Sequence, residues 1–292
     1  MAAIYNYCKG GDGMEYTHIE LTKQFWDGKK DGKEYSLDKD GIEVAIWRAL
    51  KDFTPRTEKR KSGSTEKLGV DEMLGKLGEE YINEFLNLFN ADNDSHKSQE
   101  NFDEWHNNRC EEFLNTFSNY YESLAYGKAQ KIVNMTFKGI YCLKGAEQKE
   151  EYFKYCHMPL DSLTLEWFKR NCKINGKAIT KGKVLPWSKL EYATNKNKDK
   201  YSYPEIMKSI REFFNNKTGW TPLKAEFLIW PQIQLELAAE GLVSELSKLD
   251  DSINLKEFKK KSTQEKISVL KEKLKSINSE FIYGDVSKNI KQ

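Results

Sequence analysis

The residues best able to do chemistry are few and far apart. Cys156, His157 and Asp161 fall together in "CHMPLD" (156–161). A thiol beside an imidazole is the pairing a cysteine nucleophile needs. Residues adjacent on one chain rarely point at each other, so a buried thiol beside a capped helix start is the better reading. "WHNNRC" (105–110) carries a fragment of an HNH-type arrangement without its partners, and His18 and His96 stand alone. There is no HExxH and no CxxC, so no zinc site is expected. There is no GxxxxGK[ST], and "GGDG" (10–13) lacks the GxGxxG spacing. Glu226 in "KAEFLIW" has no ExK on a strand beside it, as a metal-dependent nuclease would need. No catalytic residue, metal or cofactor is therefore expected from local motifs. An enzyme would need a site assembled by the fold, around His157 and the helices of 102–143.

Cations are the other candidates. In "YGKAQKIVNMTFKGIYC" (126–142) three lysines interrupt an apolar, aromatic stretch. At 100° per residue, Ala129, Ile132, Val133, Thr136, Phe137, Ile140 and Leu143 share one wide arc. Lys128, Lys131, Asn134 and Lys138 fall opposite. Two readings compete: a solvated edge whose stems cover apolar surface, or a contact for phosphate or an acidic partner. The wide apolar arc favours the solvated edge. The second cationic run, "KVLPWSKLEYATNKNKDKYSY" (183–203), interleaves aromatics. With Lys181 just before it, the run offers Lys183, Trp187, Lys189, Lys196, Lys198 and Lys200 to a nucleic acid, with Trp187 or Tyr201 stacking on bases.

The formal net charge of +2 over 292 residues hides strong segregation. Residues 71–124 hold thirteen Asp/Glu against three Lys/Arg, residues 169–200 hold ten Lys/Arg against two Asp/Glu, and residues 254–275 hold eight lysines against three glutamates. Such blocks can face each other inside the fold, pair between subunits, or meet a partner. An acidic helical block can also imitate nucleic acid towards a DNA-binding enzyme. Charge runs are most often solvated faces.

The elements that must position these residues read as helices. Apolar spacing predicts helices at 40–53 with Asp40 as N-cap, at 70–90, over 102–143, at 147–155 and from Asp161 or Ser162. A further helix is entered through Pro204 at 202–214. Residues 221–249 form one or two helices broken near Pro231. "EYTHIEL" alternates partly and predicts a short strand, with turn chemistry on either side. Residues 173–200 read as irregular, and "TPRTEKRKSGSTEK" (54–67) as a charged linker. Ile267, Leu270, Leu274, Ile277 and Phe281 step by three and four, an a/d seam suited to packing at home or to dimerisation. Five cysteines without CxxC spacing, no secretory leader pattern and no membrane-length apolar run point to a reduced, cytoplasmic protein with buried thiols.

The set "YGKAQKIVNMTFK", "HMPLDSLTLEW", "LPWSKLEY" and "PLKAEFLIW" resembles a pattern recurring in uncharacterised helical proteins of bacteria and phages, over about residues 102–230. That resemblance carries no reaction and no functional residue with it. The chain's length, composition and lysine-rich tail are also similar to those of phage counter-defence proteins of the type that smothers a Gabija nuclease complex. Segregated charge, the C-terminal seam and the charged linker point to a protein partner and a homo-oligomer, and the resemblance implies a host defence nuclease among the candidate partners, in the host cytoplasm.

The expected fold is mainly α. It comprises a small mixed α/β N-terminal module with its linker (1–67), a helical core domain (68–240) and a helical C-terminal tail (241–292). Phe137 and Trp167 should lie in its core. The leading functional expectation is a non-enzymatic interaction protein that oligomerises and occludes a partner, with no membrane role. A nucleic-acid-binding protein using the 169–200 segment is the alternative, and an enzyme with a dispersed site is the third.

Overall fold

A computed structural model describes residues 16–23, 25–53, 68–90, 93–94, 97–122, 124–193, 199–215, 219–246, 254–262, 265–266 and 268–269. The fold is mainly helical, as expected, with one two-stranded sheet near the N-terminus and another in the middle. The chain divides into two units, one of residues 15–230 and one of residues 1–14 with 231–292.

The larger unit opens with α1 (His18–Thr22), where alternation had predicted a strand. Thr17 and Glu20 close a reciprocal capping box, which satisfies the first backbone donors and outweighs the alternation of a five-residue run. Strands β1 (Lys29–Lys30) and β2 (Lys33–Glu34) pair across Asp31 and Gly32, both at positive φ, as a tight hairpin turn requires. The chain after this hairpin is stitched to residue 144, with Leu37 N donating to Lys144 O and Lys144 N donating to Tyr35 O. Helix α2 (Lys39–Asp52) is capped by Asp38, not by Asp40, with Gly41 N donating to its carboxylate at 3.0 Å.

Helices α3 (Val70–Asn87), α4 (Gln99–Phe117) and α5 (Tyr126–Tyr141) follow. α5 is the axis of the unit and packs against α2, α4 and the turn at 187–189; α2 in turn packs on α3. Helix α2, read as part of the 1–67 module, thus rests directly on α5, read as part of the 68–240 domain. Residues 54–67 lie outside the described residues. Buried Phe137 sits at the centre of an aromatic cluster, 5.3 Å from Phe85, 5.4 Å from Phe102 and 5.6 Å from Trp105 between ring centroids. Trp167 is also buried and stacks on Phe214.

Beyond α5 a 3-10 segment (Ala146–Phe153) leads to α6 (Ser162–Asn171), whose N-cap Asp161 accepts from Leu163 N and Thr164 N. The segment read as irregular contains a second hairpin, β3 (Lys173–Ile174) with β4 (Lys177–Ala178), turning at Asn175–Gly176. Short 3-10 turns at 181–183 and 187–189 continue it as a strap, pinned where Tyr201 N donates to Lys183 O. Helix α7 (Tyr203–Phe214) starts at a Ser202–Glu205 capping box with proline in its first turn. Helix α8 (Pro222–Leu246) runs on through Pro231. Proline there removes one intrahelical hydrogen bond without ending the helix.

In the smaller unit, α8 continues to Leu246 and α9 (Leu255–Lys260) is capped by Asn254. Lys266 and Glu240 form a buried pair at 3.2 Å. The expected seam, Ile267, Leu270, Leu274, Ile277 and Phe281, lies outside the described residues. No helix among the described residues is long and apolar enough to cross a membrane.

Candidate functional site

The lysine edge of α5 does not face water. Lys128 and Lys138 are each only 5% exposed, Asn134 is fully buried, and Lys131 is half-buried. At Lys128 and Lys131 the cause is the backbone of the strap. Gly127 N donates to Leu190 O at 3.0 Å, and a Cβ on Gly127 would stand 1.7 Å from Trp187 O, so only glycine permits this approach. The strap thereby lays Trp187 against α5, with Lys128 Nζ 4.7 Å and Lys131 Nζ 4.9 Å from its ring centre. Ring faces attract cations, which offsets part of their lost hydration. Further along α5, Lys138 Nζ lies 2.5 Å from Glu226 Oε2 of α8 and 4.2 Å above Phe25.

Between these lysines, Asn134 anchors a chain of buried polar groups. Its Oδ1 meets His106 Nε2 at 2.9 Å. Its Nδ2 donates to Gln130 Oε1 at 2.9 Å and to Tyr203 OH at 3.0 Å. Gln130 clamps the extended chain before α6, donating to Leu160 O and accepting from Leu160 N. His157 Nδ1 is 2.9 Å from Tyr203 OH, and its Nε2 is 2.6 Å from Asp103 Oδ1. Arg211 of α7 holds Asp103 through both terminal nitrogens, at 3.2 and 3.0 Å.

One set of proton positions satisfies the whole chain. Asn134 donates to the Tyr203 oxygen, Tyr203 donates to His157 Nδ1, and His157 Nε2–H donates to Asp103. His106 then carries its proton on Nε2 and keeps Nδ1 as an acceptor, facing Tyr126 OH at 3.4 Å and Cys110 Sγ at 3.7 Å. Both imidazoles are neutral in this arrangement.

The electrostatics agree. Burial drives His106 well below its ordinary pKa, with the neighbouring His157 adding to the effect. Burial also lowers His157, against the pull of Asp103. Burial would raise Asp103, but the hydrogen bond from His157, the charge His157 gains once acid protonates it and the Arg211 guanidinium outweigh it and hold the carboxyl at about 2. Each group is depressed in the folded state, so each contributes stability above its unfolded pKa that is lost as pH falls. The histidines act below about pH 6.5, at up to about 1.4 kcal/mol per pH unit each, and Asp103 only below about pH 4. Urea unfolding should show a loss of about 1–3 kcal/mol between pH 7.0 and pH 5.5, carried first by His106. A flat profile over that interval would contradict neutral core imidazoles.

The cluster is sealed. Tyr203, His157, His106, Gln130 and Asn134 are all buried, and only Asp103 and Arg211 reach its rim. Cys156 does not join His157; its thiol faces Tyr152 O at 3.9 Å. Burial pushes the Cys156 and Cys110 thiols well up, and holds Cys142 at about 12. Asp161 is occupied by its helix cap and by Trp230 Nε1, which donates to it at 2.9 Å. No group of three His, Cys, Asp or Glu side chains among the described residues is arranged to hold a metal ion.

On the strap, Lys181, Lys183 and Lys189 are exposed, as are Lys173 and Lys177 of the adjoining hairpin. None of these five has a carboxylate partner among the described residues. Trp187 is half-buried, Lys200 Nζ donates to Gly182 O at 2.6 Å, and Lys196 and Lys198 lie outside the described residues. In the acidic block, Glu79 pairs with Lys39, Glu84 and Glu112 pair with Arg109, and Asp103 pairs with Arg211. Glu80, Glu100, Glu104 and Glu111 remain exposed with no basic partner among the described residues. Comparison with protein-family models, with curated proteins and with solved structures found no match for the chain.

Proposed function

We propose that the chain is a non-catalytic interaction protein that self-associates and occludes a macromolecular partner, in the manner of an inhibitor of a bacterial anti-phage defence complex. One observation carries this reading. The exposed lysines of the strap and the exposed glutamates of α3 and α4 are not neutralised by one another within the described fold. Two complementary, unneutralised surfaces on one chain suit head-to-tail contact between copies, or docking on a charged partner. The sealed polar cluster supports the same reading, because its imidazoles and phenols do not reach a substrate.

The test is a charge reversal, Lys173→Glu, Lys177→Glu, Lys181→Glu and Lys183→Glu in one chain. These are surface positions, so the fold should survive. Self-association followed by sedimentation should weaken at least tenfold, and a host protein retained from nuclease-treated lysate by the wild type should be lost. An unchanged mass distribution together with unchanged capture would sink the proposal.

Trp187 favours a second reading. It is half-buried, carries Lys131 on its face, and belongs to the strap of Lys181, Lys183 and Lys189, which have no carboxylate partner among the described residues, a combination that suits single-stranded nucleic acid. Five phosphate contacts would give log K a slope of roughly −3.5 against log salt. Capture that vanishes on nuclease treatment, with that slope, would put this reading first.

A further inference from the structure

A cavity of about 210 Å3 opens beside α2 and α5, lined by Phe25, Arg48, Ala49, Lys51, Asp52 and Met135. Lys51 and Asp52 are exposed and form its mouth; Ala49 is buried. Arg48 is the unusual member. Its guanidinium carbon stands 4.5 Å over the Trp26 ring and 5.9 Å from the Phe25 ring. Its Nε is buried with no acceptor, and no carboxylate among the described residues forms an ion pair with it. A buried donor without an acceptor is costly, and native folds rarely leave one. Asp27 and Asp52 are near enough to bias Arg48 but do not bond it.

We propose that this cavity is a binding site for a small monocarboxylate with a compact apolar or aromatic body, its carboxylate received by Arg48. The guanidinium is already immobilised on Trp26, and its planar fork matches a carboxylate. Phe25, Ala49 and Met135 supply apolar wall for the body. With Arg48 and Lys51 against Asp52, the lining carries one net positive charge, which suits a monoanion. A phosphate dianion would exceed that charge and face Asp52. The volume is also larger than an inorganic anion needs and is at the scale of a small organic acid.

The probes are sodium benzoate and, in parallel, sodium phosphate, titrated into the full chain carrying 13C-methyl methionine. The Met135 methyl should shift saturably with benzoate, with Kd of about 1 mM or tighter. Arg48→Met should weaken binding at least tenfold, and Arg48→Lys should weaken it less, because the charge remains without the fork. The remaining methionine methyls report whether each variant is folded. If Arg48→Met is not, the wild-type titration and Arg48→Lys still decide. Saturation by phosphate and not by benzoate overturns the carboxylate assignment. No saturable shift with either probe, or undiminished benzoate binding to folded Arg48→Met, overturns the site.

Discussion

Replacing Asn134 with leucine is expected to destabilise the fold by about 3–5 kcal/mol. The side chain is fully buried and links α4, α5 and α7 through His106, Gln130 and Tyr203. Leucine keeps the branching and the number of heavy atoms, so the loss is first one of hydrogen bonding. His106 Nε2–H loses its acceptor outright. Tyr203 loses a donor, and the Gln130 amide oxygen keeps only the bond it accepts from Leu160 N. Each buried polar group left unpaired costs about 1–3 kcal/mol. Urea unfolding at pH 7 measures the change. A loss below about 1 kcal/mol would mean the cluster is dispensable, and that some other feature fixes how α4 and α7 meet α5.

The second large effect concerns Lys138 and Glu226. Their side chains are 6% and 2% exposed, and burial raises the Glu226 pKa while Lys138 opposes that shift. Removing one partner leaves a buried charge, so Lys138→Met alone should cost about 3–5 kcal/mol. The double change Lys138→Met with Glu226→Leu removes both charges. It should return to within about 1–2 kcal/mol of the wild type, or surpass it, because a paired buried charge is expensive to desolvate. If the double variant is as unstable as the single one, the lysine matters for its packing against Phe25 and Phe227 and not for its charge.

How far these features were legible differs from residue to residue. The helices of Phe85, Phe137 and Trp167 announced themselves through apolar spacing, because a 3.6-residue period follows from covering one face. The burial of Lys128 and Lys138 did not. Their stripe falls on the polar side of the wheel, but periodicity cannot tell water from a tryptophan face or a glutamate 88 residues away. The polar cluster was equally hidden. Gln130 and Asn134 stand four apart on one helix, and so do His106 and Cys110, which was visible. Asp103, His157, Tyr203 and Arg211 join them only through tertiary packing, and no local spacing foretells that. At α1 the decisive signal was in plain view. Thr17 and Glu20 have capping-box spacing, and in so short a run the cap prevails over alternation. Asn175–Gly176 is likewise a readable turn signal inside an otherwise irregular, lysine-rich stretch.

The packing of α2 on α5 has a consequence for the birth of the protein. The face of α2 made by Ile42, Ala45, Ile46 and Ala49 is covered by a helix that ends at Tyr141. On the ribosome, residues 53–141 must be made before that cover exists, which takes about 4–18 s at 5–20 residues per second. During that interval α3 is the partner already made for α2, and the face that α5 covers waits. Vectorial synthesis therefore makes the pairing of α2 with α5 a late event, which follows the completion of Tyr141.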